Sequence, residues 1–252
     1  MPTNWLREEL GLSLGLNYTM TYQHASRARG TNDGFFGDLD LLGRWKLIDF
    51  DGSWPGALAF QTESRHRMAS DTPGQLQPRV GSQWSTALSS NPQRYAVVEL
   101  YWEQGSFDDG LIARFGKLDA ALVYDGGRFV SQNLAFLSAG FSDSPPMFFP
   151  APGLGAAAAA YPNDWFYLLA GFQDANARRT QTGFNSIDDA DFFYADEVGI
   201  TPAFGTENEG LYHVTVWRSE KADKVDRRSG EGFQIHAEQQ LGPDGHFVPF
   251  LR

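Results

Sequence analysis

The chain of 252 residues contains no cysteine. Disulfide scaffolds, thiolate metal sites and cysteine nucleophiles are thereby excluded. Positive charge is scarce. Lys+Arg total 20 against 31 Asp+Glu, a formal net charge of −11, which argues against nucleic acid as a partner, since that would call for a basic patch or stripe. No apolar run approaches the roughly 20 residues of a membrane-spanning helix; the longest run of small residues, Gly155 to Tyr161, falls far short. The opening Met1-Pro2-Thr3-Asn4-Trp5 has neither a basic n-region nor an apolar h-region, so no secretory leader is expected there. Several signatures of chemistry are also missing. There is no His-x-x-x-His pair, and Gly153-Leu154-Gly155 lacks the rest of a dinucleotide fingerprint.

Apolar residues make up 42% and charged residues 20%, a balance that argues against wholesale disorder. Aromatics reach 14% and glycines number 27, which suits a β-rich chain with many turns. The mean hydropathy of −0.38 is that of a soluble protein, but a membrane barrel whose strands alternate apolar and polar faces averages to the same value. Asn4 is a candidate cap for a short helix over Trp5–Leu10, with Glu8 and Glu9 inside it.

Beyond that helix the period becomes two, and about ten runs read as strands. They span Leu14–Gln23, Gly34–Leu47, Gly56–Arg65, Tyr95–Glu103, Gly110–Leu118, Leu154–Ala160, Asp164–Asp174, Phe192–Thr201, Gly210–Arg218 and Gly232–Leu241, with an eleventh beginning near His246. The alanine run of the sixth is neutral between strand and helix. In Gly34–Leu47 one face carries Phe35, Leu39, Leu41, Trp45 and Leu47, and the other Asp38, Asp40, Arg44 and Lys46. In Gly56–Arg65, Leu58 and Phe60 oppose Gln61, Glu63 and Arg65. Strict alternation in Tyr95–Glu103 sets Ala96, Val98, Leu100 and Trp102 against Tyr95, Glu99, Tyr101 and Glu103.

The connections alternate in length. Short ones hold Asp51-Gly52, Asp109-Gly110, Pro162-Asn163, Pro202–Glu209 and Pro243-Asp244-Gly245; long ones run His24–Asp33, His66–Gln93, Asp119–Gly153, Ala175–Asp191 and Ser219–Gly230. In a meander this puts tight turns at one end and long loops at the other. That is the asymmetry of an outer-membrane barrel, with short periplasmic turns and long extracellular loops. Strands near the 9–11 residues of a tilted membrane strand agree. Ionised groups on the second face would be costly in a packed core and are at no disadvantage beside a water-filled lumen. The pattern therefore predicts an all-β, antiparallel, up-and-down transmembrane β-barrel, apolar outside and wet inside, with residues 1–252 as one domain and 119–153 as a long loop that folds inward as a candidate constriction.

Arg114-Phe115-Gly116-Lys117-Leu118-Asp119 resembles the R-x-G-K-x-D strand end of the carbohydrate-selective porin family of Gram-negative outer membranes. Gln132-Asn133-Leu134-Ala135-Phe136-Leu137-Ser138-Ala139-Gly140-Phe141 is similar to the loop segment that follows it there. Pro152-Gly153-Leu154-Gly155-Ala156, Pro162, Trp165 and Ala170-Gly171-Phe172-Gln173-Asp174-Ala175 resemble its next hairpin. Glu197-Val198-Gly199-Ile200-Thr201-Pro202 with Gly210-Leu211-Tyr212 resembles the pair after that, and Glu9-Leu10-Gly11-Leu12-Ser13-Leu14-Gly15-Leu16-Asn17-Tyr18 its first strand. The resemblance implies a barrel of 16 strands passing sugars by diffusion, located in the outer membrane. This chain supplies about ten complete strands and begins another, and lipid does not tolerate the two open edges such a sheet leaves. A fragment lacking C-terminal strands is therefore expected.

A sugar pathway calls for planar, fixed hydrogen-bonding groups with rings to stack on. Arg44, Arg65, Arg114, Gln61, Glu63, Asp38, Asp40, Glu99 and Tyr101 supply these on strands two to five and are the candidate pore lining. Asp125, Arg128 and Asn133 are candidates for the constriction loop. Arginine beside carboxylate keeps local net charge low, which favours neutral solutes. The expected partners are small neutral sugars such as glucose and outer-membrane lipid, with self-association left open. No catalysis, cofactor or metal is expected. His213 and His236 could share the inner face of neighbouring strands, but a zinc site needs further ligands. Asp188, Asp189, Asp191, Asp196 and Glu197 lack EF-hand spacing. Three alternatives stay open: a general or anion-selective porin, a soluble carbohydrate-active β-protein using Glu63 and Glu99 as a carboxylate pair, and a structural barrel with a plugged lumen.

Overall fold

The computed structural model describes residues 2–49, 54–69, 71–87, 92–131, 133–144, 147–204 and 208–252, with backbone only for 2–4. Eleven strands form one antiparallel sheet whose spatial order is the chain order: β1 Leu12–His24, β2 Asp33–Ile48, β3 Gly56–Arg67, β4 Gln93–Ser106, β5 Leu111–Leu118, β6 Gly153–Asn163, β7 Phe166–Asp174, β8 Phe192–Ile200, β9 Gly210–Ser219, β10 Gly230–Gln239 and β11 Phe250–Leu251. The sheet is open, with β1 and β11 at its edges. The all-β meander expected from period-2 patterning is thus present, and the alanine run of β6 is a strand paired on both sides.

Helix α1 runs Pro2–Leu10, so it starts before Asn4 and Asn4 is not its cap; the side chain of Asn4 lies outside the described residues. Proline suits a first helical position, where the missing N–H has no partner to lose. The Asp51-Gly52 turn and Gln132 also lie outside the described residues. The contrast between short and long connections is less sharp than the sequence implies. Residues 25–32 join β1 to β2, while the nominally short 201–209 and 240–249 are no shorter.

Alternation holds in most strands, but β4 carries a bulge. Gln61 pairs with Glu99 while Thr62 pairs with Val97, so Val98 and Glu99 together oppose one residue of β3. One extra residue shifts the face parity. Ala96 and Val98 therefore share the side of Glu99, Tyr101 and Glu103, and the strict alternation expected for this strand is corrected. Gly116, at φ +135°, sits where a Cβ would lie 2.5 Å from the Leu100 carbonyl oxygen. Gly116→Ala is expected to destabilise the sheet by more than about 1 kcal/mol, because the left-handed backbone and the clash both count against a side chain. Urea unfolding in detergent measures it.

The two faces of the sheet differ in kind. Leu16, Met20, Tyr95, Phe115, Leu168, Val216, Phe233 and Ile235 are exposed, whereas Asp38, Asp40, Glu63, Glu103, Glu197, His213, Thr215, His236 and Glu238 are buried. The buried face is not uniformly polar. Across β7–β9 it presents Leu169, Phe193, Ala195 and Trp217, and these pack against Ala120, Val123, Tyr124, Met147 and Phe149 of the β5–β6 connection. The uniformly wet interior expected from strand patterning is corrected accordingly: the charged lining is concentrated on β2–β5, and a loop covers the rest.

Candidate functional site: the charged inner wall

The nine predicted lining residues fall on one face of β2–β5, brought together by register. Asp38 pairs with Arg65, Asp40 with Glu63, Gln61 with Glu99 and Arg44 with Ala59. Two charged clusters result. In the first, Glu103 accepts from Arg44 Nε at 3.0 Å and Nη2 at 2.8 Å through one carboxylate oxygen, and from Arg114 Nε at 2.9 Å through the other. The Arg114 guanidinium also lies over the Tyr101 ring, 5.3 Å from its centroid. The second cluster is deeper. Arg65 pairs with Glu63 and, at 3.4 Å, with Asp38, and Arg179 reaches the other oxygen of Glu63 at 2.8 Å. Gln61 donates to Asp40 at 3.2 Å. Glu99 accepts the Asp119 backbone N–H at 3.3 Å, which ties this wall to the start of the β5–β6 loop.

Asp38, Asp40 and Glu63 offer oxygens within 4.8 Å of one another. That spacing could hold a cation, but Arg65 and Arg179 already supply the opposing charge there. What the arrangement presents is a set of fixed guanidinium, carboxylate and amide planes of near-balanced charge, which is suited to hydroxyl-rich, uncharged solutes.

Two further residues of the inner wall, Glu103 and Arg179, and one outside it, Lys117, were not among the predicted lining. Glu103 was visible as an inward carboxylate, and the turn at 107–110 sets it directly opposite Arg114. Arg179 carries no such signal, because it reaches Glu63 from the β7–β8 loop. Lys117, on the exposed side of β5, donates to the carbonyls of Val97, Arg179 and Gln181 at 2.7, 2.8 and 2.6 Å, which holds that loop against the sheet.

Helix α2, Pro73–Val80, lies in the β3–β4 connection; the β5–β6 connection begins with helix α3, Ala120–Tyr124, capped by the Asp119 side chain, which accepts the Ala121 N–H, and helix α4, Ala139–Ser142, follows. Burial raises the carboxyl of Asp119 above its usual range despite Arg179, and pushes Asp125 up to about 7. Asp125 lies 3.6 Å from Arg252, and the Arg128 backbone N–H donates to Glu238 at 3.2 and 3.0 Å. Asn133 is exposed in the turn beyond. Among the described residues no side-chain hydrogen bond or ion pair joins Asn133 to Asp125 or Arg128.

The other clusters singled out in the sequence have specific places. His213 and His236 pair in register and stack, centroids 4.9 Å apart. Lys224 occupies Asp188 at 3.3 Å and Asp189 at 2.8 Å, and Asn176 holds Asp191 at 2.8 Å. Glu197 turns to the inner face while Asp196 faces outward, so the five acidic residues do not converge.

The fold is similar to that of OprB from Pseudomonas putida. A high-pH structure matches with a TM-score of 0.69 at 17% identity, covering 96% of this chain and 64% of the other. A low-pH structure matches at 0.56 and 12% identity, covering 96% and 63%. The likeness is one of fold. This chain spans less than two thirds of those chains. No family model matches the sequence, and no curated protein matches it.

Proposed function

We propose that residues 1–252 are part of an outer-membrane porin barrel that passes small neutral carbohydrates, such as glucose, by diffusion. One observation carries this reading: large apolar side chains are exposed while ionised ones are buried on the opposite face. In water that inversion would be unstable; between lipid and an aqueous lumen it is what each face requires. A second feature agrees. Each connection at the end opposite the β5–β6 loop carries an exposed aromatic: Trp54, Phe107, Trp165, Phe204 and Phe247. Exposed rings in the connections of one end suit a membrane–water interface. That end is then periplasmic, and the end bearing the β5–β6 loop extracellular.

The fold likeness to OprB sits beside the sequence resemblance to the carbohydrate-selective porin family. On this reading Arg44, Arg114, Glu103 and Tyr101, with Arg65, Glu63, Asp38, Asp40, Gln61 and Glu99, line the solute path, and the 119–153 loop narrows it. The protein acts as a channel and not as an enzyme. Glu63 has both carboxylate oxygens engaged by guanidinium groups, which leaves no proton to donate and disfavours its use as the acid of a glycosidase pair.

Reconstitution in planar bilayers tests the reading. Glucose added at millimolar concentration is expected to reduce the ion current in a concentration-dependent way; a steady current that sugar never reduces would favour a general or anion-selective pore. A stability test separates the membrane reading from the soluble one. Val216 is half exposed at the middle of β9. Val216→Arg is expected to lose about 2–4 kcal/mol in a lipid bilayer, against within about 0.5 kcal/mol for an exposed position in water, as read by reversible unfolding in liposomes.

A further inference from the structure

The outer wall is irregular where β4, β5 and the β7–β8 loop meet. β4 outruns its neighbour. Its pairing with β3 continues to Gln93 opposite Arg65, but its pairing with β5 stops at Leu100 opposite Lys117. Beyond Leu118 the chain of β5 turns inward as α3, which leaves a step in the sheet. The β7–β8 loop, residues 175–191, crosses the outside of that step. Two fixings hold it there. Lys117, on the outer side of β5 and 5% exposed, has three protons to donate, and they go to the carbonyls of Val97, Arg179 and Gln181. The first carbonyl belongs to β4 and the other two to the loop, so one cation pins the loop across the step. Gly183, at φ +96°, then rests on β6, where a Cβ would lie 3.0 Å from Leu154 Cγ. The next residue, Phe184, is 75% exposed.

Between these fixings and the sheet the loop leaves a pocket of about 420 Å³. Val97 and Leu100 of β4, Leu154 of β6, and Thr180, Thr182 and Phe184 of the loop line it. We propose that this pocket holds one acyl chain of an outer-leaflet lipid, a proposal that rests on the membrane reading above. Three observations select that occupant. The pocket continues the apolar face formed by Tyr95, Leu100 and Phe115, all exposed, which that reading gives to lipid. It lies at the end that bears the β5–β6 loop, and so at the outer leaflet. Among the described residues lining it, Lys117 alone is charged, and its protons are already spent on carbonyls. The pocket therefore has hydrocarbon to offer and no free cation for an anionic headgroup. Its size agrees. A methylene is close to a water molecule in bulk, roughly 30 Å³, so the volume suits one chain of about a dozen carbons. A flat sheet face touches a chain on one side, whereas this pocket touches it from the sheet and from the loop, and dispersion contacts add over both.

A phosphatidylcholine with a photoreactive diazirine midway along one acyl chain tests the proposal. The protein is irradiated in phosphatidylcholine liposomes containing this probe, and the labelled residues are identified by peptide mass spectrometry. Label per residue at Val97, Leu100, Leu154 and Phe184 is expected to exceed that at Val216, Phe233 and Ile235 by about fivefold, the effect of roughly one further buried methylene. The comparison positions are themselves exposed on β9 and β10. Val97→Trp fills the pocket from the sheet side and keeps the backbone carbonyl that Lys117 uses; it is expected to bring Leu100 and Leu154 down to the level of β9 and β10. Equal labelling of the two regions in the wild type would overturn the pocket and leave the membrane reading standing. Protection of Val97 and Leu154 from the probe, as by a second copy of the chain seated there, would also overturn it, and so would undiminished labelling of Leu100 and Leu154 in folded Val97→Trp. Label on Gln61 and Gln234 of the buried face, in place of the apolar positions, would remove the membrane reading and the proposal with it. The wild-type comparison stands even if the variant does not fold.

Discussion

Replacing Glu103 with glutamine is expected to convert the charge-balanced wall of β3–β5 into an anion-preferring one. Glu103 is shared by Arg44 and Arg114 through separate oxygens, so the neutral amide leaves two guanidinium groups facing the lumen with no counter-charge. One unit charge at about 4 Å in water corresponds to about 1 kcal/mol, so the chloride-to-potassium permeability ratio should rise about fivefold at low salt. The effect should shrink in 1 M salt, where the screening length is only about 3 Å. Reversal potentials across asymmetric salt measure it. Stability should hardly change, because both arginines are more than a third exposed and such pairs contribute roughly 0–1 kcal/mol. Arg44→Gln should shift selectivity the opposite way.

Arg65→Ala should behave in the opposite manner, with a large effect on stability. Arg65 and Glu63 are 8% and 4% exposed at their side chains, and Arg65 also serves Asp38, itself 7% exposed. Removing the cation leaves buried carboxylates with Arg179 as their remaining partner. Breaking one member out of a buried pair typically loses about 3–5 kcal/mol, and the midpoint of urea unfolding in detergent should drop by that amount. The paired replacement Arg65→Met with Glu63→Met should recover part of the loss, since no charge is then stranded. An Arg65→Ala variant as stable as the wild type would mean that this cluster is open to water.

Much of this organisation is legible along the chain, for a definite reason. Period-2 alternation is a local property, and in β2, β3 and β9 it assigns Asp38, Glu63 and His213 to the inner face without knowledge of neighbours. The bulge at Val98 and Glu99 is not local: it exists only relative to β3, so alternation alone puts Val98 on the wrong side. Arg179 illustrates the limit further. It meets Glu63 across 116 residues of chain, and a loop arginine carries no periodicity to point at a partner. The docking of α3 on Phe193 and Trp217 was hidden likewise, because an inner-face aromatic reads the same whether it meets water or a loop. The two histidines were visible as neighbours, but the Gly126 carbonyl beside His213 and Arg252 beside His236 are brought there only by the folded chain.

The central claim is that one face of this sheet meets lipid and the other meets water. The chain has no native cysteine, so single cysteines report without background. Leu168→Cys, Val216→Cys and Phe233→Cys sample the exposed apolar face; Gln61→Cys, Thr215→Cys and Gln234→Cys sample the buried polar face. In liposomes, the first three should resist a charged, water-soluble maleimide and, once labelled with a fluorophore in detergent, be quenched by bromine-substituted lipid. Gln61→Cys, on the uncovered wall, should react with the maleimide, and none of the second set should be quenched by the lipid. Lipid quenching at positions 61, 215 and 234, or free maleimide reaction at 168, 216 and 233, would contradict the account.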